Sequence, residues 1–352
     1  MHILESSIWI GDLDKTIKTA QELDELAGKS VLVTGATGLI CSAMVDLFLR
    51  YNELHEKKIK ILAAGRSEKK VQDRFGLYVG REYFSFVPFD ADIGRIDLLD
   101  EADYIIHGAS NASPNKIVKE PVETMLSNIC GVFSLLEYAR VRGTKRVLYI
   151  SSSEVYGKKE NGLPFNETEY GYVDLLRPRN SYATGKRAAE TLCAAYTDEY
   201  GIETVIVRPG HVYGPTASAT DNRVSSVWAI TAARGKNIVM KSDGSQLRSY
   251  CYCLDCASAI LKVLLHGEPM HAYNISNPDS VISIREMAET VTRAGRVKLL
   301  MELPTEEEKK GFNPMSNSSL NSESLQALGW QGQFNAEIGF KHTVEVLKGL
   351  YE

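Results

Sequence analysis

A tyrosine and a lysine four residues apart are the side chains in this sequence best placed to do chemistry. Tyr182 and Lys186 lie in the segment Tyr-Ala-Thr-Gly-Lys, within a stretch from Ser181 to Tyr200 that we predict to be helical. Residues four apart share one face of a helix. Because an ammonium group beside a phenol favours the phenolate, the pair could take a proton from a substrate hydroxyl.

The position of this pair in the chain makes it informative. Tyr-x-x-x-Lys occurs by chance in many helices, but here it follows the segment Ser-Ser-Ser-Glu-Val-Tyr-Gly at residues 151–157. That segment comes directly after the apolar run Val147–Ile150, which we predict to be a strand. It presents Ser152, Ser153 and Glu154 at the strand end, so a carboxylate able to move a proton stands beside two hydroxyl groups.

A turn rich in glycine near the start of the chain predicts a dinucleotide site. Gly35 and Gly38 lie between a short apolar run, Val31–Val33, and a helical pattern from Leu39 to Tyr51. Glycine allows the backbone to approach a pyrophosphate closely, and the N-terminus of the following helix favours negative charge. Glycine turns between a strand and a helix are common, so this turn is informative in combination with the tyrosine and lysine.

Strand and helix patterns alternate from Ser30 to Pro209. The predicted strands are Val31–Val33, Ile59–Ala64, Phe84–Val87, Tyr104–His107, Val147–Ile150 and Thr204–Val207, and the predicted helices include Leu39–Tyr51, Pro121–Arg142 and Ser181–Tyr200. This alternation is typical of a parallel sheet covered by helices on both faces. We therefore predict an α/β fold with a Rossmann-type doubly wound parallel sheet.

The same patterns divide the chain into three regions. Residues 29–210, joined by 252–272, are predicted to form the dinucleotide-binding domain. Residues 211–251 and 273–352, where the alternation breaks into shorter elements, are predicted to form a smaller, discontinuous substrate-binding domain. Residues 1–28 are predicted to form an extension with one amphipathic helix. The apolar positions of that helix are Leu13, Ile17, Ala20, Leu23 and Ala27.

Composition and charge exclude several classes of protein. The chain has 352 residues, of which 44% are hydrophobic and 24% charged, as in ordinary globular proteins. A net charge of -5 argues against a nucleic-acid partner, which would require a basic face. The sequence has no apolar run long enough to cross a bilayer and no secretory signal at its start, so we expect a cytoplasmic protein without a membrane partner.

Three neighbouring cysteines are the best candidates for a metal site. Cys251-Tyr252-Cys253 is predicted to be a strand, which would place both thiols on one face, and Cys256 follows closely. A structural zinc site needs four ligands, and no second Cys or His pair stands at a suitable spacing. We therefore expect no metal, and we expect the six cysteines to be free thiols.

Together the glycine turn, the Ser-Ser-Ser-Glu-Val-Tyr-Gly segment and the Tyr-x-x-x-Lys pair resemble the extended short-chain dehydrogenase/reductase family. Within it, the chain resembles NAD-dependent epimerases and dehydratases of nucleotide sugars, and most closely the UDP-glucuronate decarboxylases, which carry Thr-Ser-Glu or Ser-Ser-Glu where this chain has residues 152–154. The resemblance covers most of the chain after Lys29. It implies that Tyr182 is the catalytic base, with Lys186 beside it, and that Ser152 hydrogen-bonds the same substrate oxygen.

The resemblance also implies a nicotinamide cofactor and the residues that bind it. These are Gly35, Thr37, Gly38, Leu39, Ile40, Arg66, Asp92, Ile93, Ala109, Tyr182, Lys186 and Pro209. An NAD-specific site usually has a carboxylate at the end of the second strand, and Ala64-Gly65-Arg66-Ser67 has none. Arg66 could face the 2′-phosphate of NADP or stack on adenine. We favour NAD, because internally recycling enzymes of this family mostly keep NAD, and NADP stays open.

A nucleotide-sugar substrate and a homodimer are further implications of the resemblance. The residues implied to contact substrate are Ser110, Asn111, Ser113, Arg179, His211, Arg223 and Arg248. Arginine pairs bidentately with phosphate, which suits Arg223 and Arg248 to the nucleotide diphosphate. Arg248 could instead meet the sugar carboxylate. The helices that begin at Pro121 and Ser181 would form a four-helix contact between two copies of the chain.

Two departures from the family pattern leave the nucleotide base and the sugar open. His211 stands where the family has an asparagine near the nucleotide diphosphate. Residues 309–317 lack an arginine that the decarboxylases carry before their last helices.

The segment around Glu154 separates the candidate reactions. A 4-epimerase needs no further acid or base. A 4,6-dehydratase of the family has Asp-Glu where this chain has Ser153-Glu154, and it must expel a C6 hydroxyl. Serine is a poor acid for that departing hydroxyl. Decarboxylation of a 4-keto hexuronate needs an electron sink and protonation at C5. We therefore favour a UDP-hexuronate decarboxylase, with a 4-epimerase or 4,6-dehydratase as the alternative. A dinucleotide-sensing protein without activity is disfavoured, because such proteins tend to lose the tyrosine.

Overall fold

The computed structural model describes residues 2–96, 101–305 and 315–351. The α-helices in these ranges are α1 Ser7–Thr19, α2 Glu22–Leu26, α3 Leu39–Leu54, α4 Glu68–Phe75, α5 Pro114–Lys119, α6 Pro121–Arg142, α7 Ser181–Tyr200, α8 Val224–Ala233, α9 Cys253–His266, α10 Ile284–Gly295, α11 Glu323–Ala327 and α12 Ala336–Tyr351. The strands are β1 Ser30–Thr34, β2 Lys60–Gly65, β3 Phe84–Asp90, β4 Arg95–Ile96, β5 Tyr104–His107, β6 Arg146–Ile150, β7 Thr204–Pro209, β8 His211–Tyr213, β9 Ile238–Met240, β10 Leu247–Tyr252, β11 Ala272–Ile275, β12 Val281–Ser283 and β13 Leu299–Met301.

An eight-stranded sheet with the order β11-β7-β6-β5-β1-β2-β3-β4 forms the centre of the molecule. Neighbouring strands are parallel except at the edge, where β4 runs antiparallel to β3. From β1 the chain builds outward through β2 and β3, and it then returns to add β5, β6 and β7 on the other side. This confirms the predicted doubly wound sheet, and its switch point lies between β1 and β5, where such folds bind ligands.

The predicted elements of this sheet are present. The helices Pro121–Arg142 and Ser181–Tyr200 and the strand Tyr104–His107 have the predicted bounds. Both helices end at a glycine, Gly143 or Gly201, in the left-handed region with φ of 68° or 69°. Glycine adopts this conformation without the steric cost that a Cβ would add, so it defines where the helix stops.

Shorter elements follow Pro209. Strands β8, β10 and β12 form a three-stranded sheet, and β9 pairs with β13. In the three-stranded sheet, β8 pairs with β10 in parallel, and His211 lies opposite Tyr250. The central sheet also takes up β11, a strand that the sequence did not predict, beside β7. The domain bounds given above stay a prediction.

The N-terminal segment forms two helices rather than the single helix predicted. Helix α1 ends at Ala20, whose backbone has φ -92° and ψ 77°, and α2 begins two residues later. Trp9 and Leu13 are fully buried, and α1 packs on α3, α9 and α12. The segment therefore belongs to the body of the molecule, and its apolar positions face the core.

The cysteine segment differs from its prediction in one respect. Strand β10 ends at Tyr252, and Cys253 begins α9, so the two thiols do not lie on one strand face. The six cysteines are free, and burial raises the pKa of Cys251 well above its ordinary value. Within residues 2–96, 101–305 and 315–351, no three His, Cys, Asp or Glu side chains are grouped as a metal site would need. No helix in those ranges could cross a membrane.

Candidate active site

A cavity of about 260 Å³ opens at the carboxyl ends of β1, β2, β3 and β5. Its lining residues are Gly35, Thr37, Gly38, Gly65, Arg66, Ser67, Lys70, Val71, Phe89, Ala91, Asp92, Gly108, Ala109, Ser110, Asn111 and Ser127. Because the strands are parallel, the loops that follow them meet at this edge of the sheet. The cavity therefore lies at the switch point of the fold.

The backbone of the turn between β1 and α3 allows close approach of another group. Gly35 has φ 69°, and a Cβ at this residue would lie 2.9 Å from the backbone nitrogen of Ala109. Gly38 caps the N-terminus of α3 without a side chain, and its backbone N–H donates to the Gly35 carbonyl at 2.8 Å. The unpaired N–H groups of a helix start attract an anion. These residues fit the pyrophosphate of a dinucleotide.

The far wall of the cavity carries charge of both signs. Arg66, just after β2, forms an ion pair with Asp92 at 3.0 Å, and burial raises the pKa of Asp92. Ser67 and Lys70, which the sequence analysis missed, also line this wall. The signal that could have found them is their position in the first turn after the second strand, where the adenosine half of a dinucleotide is bound in such folds.

Six of the predicted cofactor residues line the cavity, together with two of the predicted substrate residues. The eight are Gly35, Thr37, Gly38, Arg66, Asp92, Ala109, Ser110 and Asn111. The other six predicted cofactor residues do not line it: Tyr182 and Lys186 lie on α7, Leu39 is buried at the start of α3, Ile40 packs against the core, Ile93 is 68% exposed, and Pro209 ends β7. Their roles as cofactor contacts stay predictions.

Tyr182 and Lys186 lie on one face of α7, beside the loop after β6. Tyr182 is 7% exposed, and the Ser152 side chain lies near enough to its phenol to lower the pKa of that group. The Lys186 ammonium donates to the Ile150 carbonyl at 2.7 Å and lies 5.7 Å from the centre of the Tyr182 ring. The helix and the strand end thus bring together the three side chains that the sequence placed apart.

Burial shifts the pKa of the phenol upward against the nearby cations. Burial and the Glu154 carboxylate raise the pKa of Tyr182 to about 12, whereas Ser152, Arg223 and Arg179 favour the phenolate. Burial also lowers the pKa of Lys186 to about 7. The sequence led us to expect a lowered phenol pKa, and the difference arises because burial outweighs the nearby cations.

Glu154 is held by an arginine. Its two carboxylate oxygens accept hydrogen bonds from the Arg179 guanidinium at 3.1 and 3.3 Å. The pair is partly exposed, and Glu154 lies close enough to Tyr182 to act on its pKa. Ser153 begins the short 3₁₀-helix Ser153–Tyr156. A fork-to-fork pair of this kind fixes the direction of the carboxylate.

A buried ion pair behind this loop was not predicted. Arg208 donates to both carboxylate oxygens of Glu190, at 2.9 and 2.7 Å, and to the hydroxyl of Tyr156 at 3.1 Å. Arg187 donates to the Val155 carbonyl at 2.6 Å. These contacts tie α7 and β7 to the loop that carries Ser152, so they position the candidate catalytic residues.

A cationic cluster, Arg223 and Arg248 with His211, lies between Tyr182 and strands β8 and β10, since Arg223 acts on Tyr182 and both arginines act on His211. Arg248 is 3% exposed, and its guanidinium donates to the carbonyls of Leu247 and Met315 at 2.7 and 3.3 Å. Among the described residues no carboxylate pairs with it. His211 is an exposed residue, yet desolvation of its ring, aided by Arg248 and Arg223, lowers its pKa to about 4. A neutral imidazole can both donate and accept a hydrogen bond, as the side-chain amide of the expected asparagine can.

Ser110, Ser113 and Arg223, three of the predicted substrate residues, contact neighbouring polar side chains. The Ser110 hydroxyl donates to the Asn128 side-chain oxygen at 3.0 Å, and the Ser113 hydroxyl donates to that of Asn222 at 3.2 Å. Arg223 donates to Asp221, which holds the pKa of that carboxyl below its usual value although burial opposes it. Of the segment that lacks the family's arginine, residues 309–314 lie outside the described residues.

Comparison with known families identifies the class to which this fold and site belong. The model of the NAD dependent epimerase/dehydratase family matches residues 31–276, which is more than half of the chain. The chain belongs to this family.

Individual relatives show which enzymes of this family the chain resembles. The chain is 32% identical over 301 residues to UDP-glucuronic acid decarboxylase 6 of Arabidopsis thaliana, covering 86% of this chain and 83% of the relative. It is 30% identical to a trifunctional UDP-glucose 4,6-dehydratase/UDP-4-keto-6-deoxy-D-glucose 3,5-epimerase/UDP-4-keto-L-rhamnose-reductase of the same plant, covering 90% of this chain and 47% of that protein. The general reaction type is thus that of nucleotide-sugar epimerases, dehydratases and decarboxylases.

Solved structures agree on the fold. UDP-glucose 4-epimerase of Thermotoga maritima with UDP-glucose has a TM-score of 0.76 at 22% identity, covering 92% of this chain and all (100%) of that one. dTDP-glucose 4,6-dehydratase of Bacillus anthracis with NAD has a TM-score of 0.74 at 20% identity, covering 91% and 97%. RMD of Pseudomonas aeruginosa with NADPH has a TM-score of 0.67 at 21% identity, covering 91% and 99%.

Proposed function

We propose that this protein is a nucleotide-sugar decarboxylase that converts a UDP-hexuronate, UDP-glucuronate, to the corresponding UDP-pentose, UDP-xylose, by transient oxidation at C4. The observation that carries the proposal is the cluster of Tyr182, Ser152 and Glu154, which follows β6 at the same edge of the sheet as the cavity that fits a dinucleotide. A bound nicotinamide would accept the C4 hydride and return it later, and its positive charge would favour the phenolate.

Tyr182 is the proposed base for the oxidation. Its phenolate takes the proton of the C4 hydroxyl while hydride leaves C4, and the Ser152 hydroxyl holds the same oxygen. Lys186, held by the Ile150 carbonyl at 2.7 Å, contributes positive charge next to the ring when it is protonated. After decarboxylation Tyr182 returns the proton to the C4 oxygen as hydride comes back to that carbon.

Glu154 is proposed to act at C5. Once C4 is a ketone, the C5 carboxylate is β to it, so the C5–carboxylate bond breaks and its electron pair moves into an enolate. Carbon dioxide leaves, and C5 then takes up a proton. Glu154, directed by Arg179, is the side chain proposed to handle that proton. Ser153 occupies the place of the acid that would expel a C6 hydroxyl, which supports decarboxylation over dehydration.

The cationic cluster of Arg223, His211 and Arg248 supports an anionic substrate. A buried guanidinium without a carboxylate partner is unfavourable unless an anion completes it, and Arg248 is such a group among the described residues. Arg223 and the neutral His211 lie near it. We assign these three residues to the diphosphate of the nucleotide, with Ser110, Asn111 and Ser113 on the sugar side.

A 4-epimerase or 4,6-dehydratase is the second candidate, favoured by the 30% identity to the trifunctional dehydratase. Incubation with UDP-glucuronate and, separately, with UDP-glucose distinguishes the two functions. We expect carbon dioxide and UDP-xylose from the first substrate, and no product with Tyr182→Phe. Turnover of UDP-glucose without turnover of UDP-glucuronate would exclude the decarboxylase. No turnover of either by protein that binds dinucleotide would favour the sensing protein.

We further propose that the protein is a homodimer formed through α6 and α7. These two helices pack against each other, and each leaves large apolar side chains exposed. Those side chains are Val122, Leu126, Phe133, Val141 and Tyr200. A second copy of the same helix pair would cover them in a four-helix contact.

A further inference from the structure

We infer that the adenosine end of the dinucleotide cavity is built for a 2′-phosphate, so that this protein selects NADP rather than the NAD that the family resemblance favours. The inference deepens the proposed function and rests on it only for the presence of a nicotinamide dinucleotide. It concerns the wall formed by the end of β2 and the start of α4. Four residues of that wall, Gly65, Arg66, Ser67 and Lys70, line the cavity.

The end of β2 lacks the group that an NAD site uses. A carboxylate there accepts hydrogen bonds from the ribose hydroxyls and repels a phosphate. Gly65 occupies this position, and a Cβ added to it would meet no atom within 4 Å. Space for a Cβ is therefore available, so close packing at this position does not explain why the carboxylate is missing.

The same wall supplies cations and a hydroxyl instead. Arg66 is exposed over half of its side chain, 54%, so its guanidinium can turn toward a ligand. Ser67 caps α4 by accepting a hydrogen bond from the Lys70 backbone at 3.3 Å, which places the lysine one turn above the serine. Guanidinium, ammonium and hydroxyl groups together match the oxygens of a phosphate monoester.

The carboxylates near this wall do not replace the missing one. Asp92 is the one carboxylate among the residues that line the cavity, and it pairs with Arg66 at 3.0 Å. Glu68 accepts a hydrogen bond from Gln72 at 3.1 Å and does not line the cavity. With Arg66 and Lys70 against Asp92, the lining has a net positive charge, as a 2′-phosphate requires.

The dinucleotide carried by the purified protein tests this inference without any measurement of turnover. Acid denaturation releases the ligand, and mass spectrometry identifies it; we expect NADP or NADPH. Isothermal titration with each oxidised cofactor should give NADP a dissociation constant at least about tenfold lower than NAD, since one charge-assisted contact accounts for that ratio. Release of NAD alone, or tighter binding of NAD, would overturn the inference.

Single substitutions test which residues produce the preference for NADP. Arg66→Ala and Lys70→Ala should each weaken NADP binding by about tenfold or more and change NAD binding by less than about twofold, because charge-assisted contacts are lost only with the phosphate. Lys69→Ala, an exposed neighbour outside the lining, should change neither. Gly65→Asp should invert the preference. Equal weakening of both cofactors by Arg66→Ala would show that this arginine stacks on adenine.

These outcomes are separable from a failure of the proposed function. If the protein prefers NADP but leaves UDP-glucuronate unchanged, the cofactor inference is supported and the decarboxylase proposal is contradicted. If the protein makes UDP-xylose with bound NAD, the decarboxylase proposal is supported and the cofactor inference is contradicted.

Discussion

The proton affinity of Tyr182 depends on a balance of charges within one loop and one helix. Glu154 acts against the phenolate, whereas Arg179 and Arg223 favour it. Because Arg179 donates to both oxygens of Glu154, much of each charge is neutralised by the other. A change at Glu154 should therefore alter both the proton transfer proposed at C5 and the titration of the phenol.

Replacing Glu154 by glutamine separates these two effects. Loss of the negative charge removes an influence that raises the pKa of Tyr182, so the phenolate forms at lower pH. We expect Glu154→Gln to retain C4 oxidation, to move the pH dependence of that step to lower pH, and to release little UDP-xylose. The rate of nicotinamide reduction in a single turnover with UDP-glucuronate, measured across pH, and the product yield check both expectations.

A carboxylate in the same loop provides the control. Glu160 is 85% exposed at its side chain and pairs with Lys158, so Glu160→Gln should leave the pH profile and the yield unchanged. Full product formation by Glu154→Gln would show that this carboxylate takes no part in the chemistry. A shift of the profile to higher pH would contradict the electrostatic argument.

Whether a residue of the candidate site could be predicted depends on whether a short sequence motif marks it. Tyr182, Lys186 and Glu154 could be predicted because each belongs to a short motif tied to a strand end or a helix face. Lys70 was missed because it belongs to no short motif, and its position in the first turn after β2 is the signal that could have indicated it. The Arg208–Glu190 pair joins residues of α7 and β7 through a buried contact, which no spacing in the sequence reveals.

At the scale of elements, burial on both faces made the central sheet predictable. Parallel strands such as β1 and β5 are enclosed by helices and therefore consist of continuous apolar runs. Strand β11 was missed because it carries Asn274, a fully buried amide that donates to the Phe165 carbonyl at 2.9 Å. The helix break at Ala20 was missed because apolar spacing continues through it, while tertiary packing sets the turn.

The N-terminal helix α1 is expected to be part of the cooperative core. Trp9 is fully buried, and its indole N–H donates to Asp46 at 3.1 Å. Asp46 is itself buried and pairs with Arg74. Trp9→Ala should lower the free energy of unfolding by about 3–5 kcal/mol, because it opens a large cavity and leaves a buried carboxylate with one partner fewer. Urea unfolding followed by circular dichroism measures the change.

A more conservative variant separates the cost of the cavity from the cost of the lost hydrogen bond. Trp9→Phe keeps much of the apolar volume and loses the hydrogen bond to Asp46, so it should cost less than Trp9→Ala. If Trp9→Ala changed the free energy of unfolding by less than about 1 kcal/mol, far below the usual cost of a buried Trp→Ala change, α1 would not belong to the cooperative core.

For the whole molecule, the exposed side chains of α6 and α7 bear on assembly. Phe133 is 50% exposed, and its ring lies edge-on to Tyr196 of α7, with 6.5 Å between centroids. Tyr200, one turn further along α7, is 48% exposed. An apolar surface that runs across two packed helices is typical of a face covered by another protein chain.

Phe133→Asp should therefore convert the proposed dimer to a monomer, because two copies of the charge would be buried where the helix pairs meet. Sedimentation velocity over a range of protein concentrations measures the mass. Leu77→Asp is the matched control, since Leu77 is 61% exposed in the short 3₁₀-helix Gly76–Tyr78, away from α6 and α7; it should remain dimeric. A wild-type protein that stays monomeric at every concentration, or a Phe133→Asp variant that stays dimeric, would refute this interface.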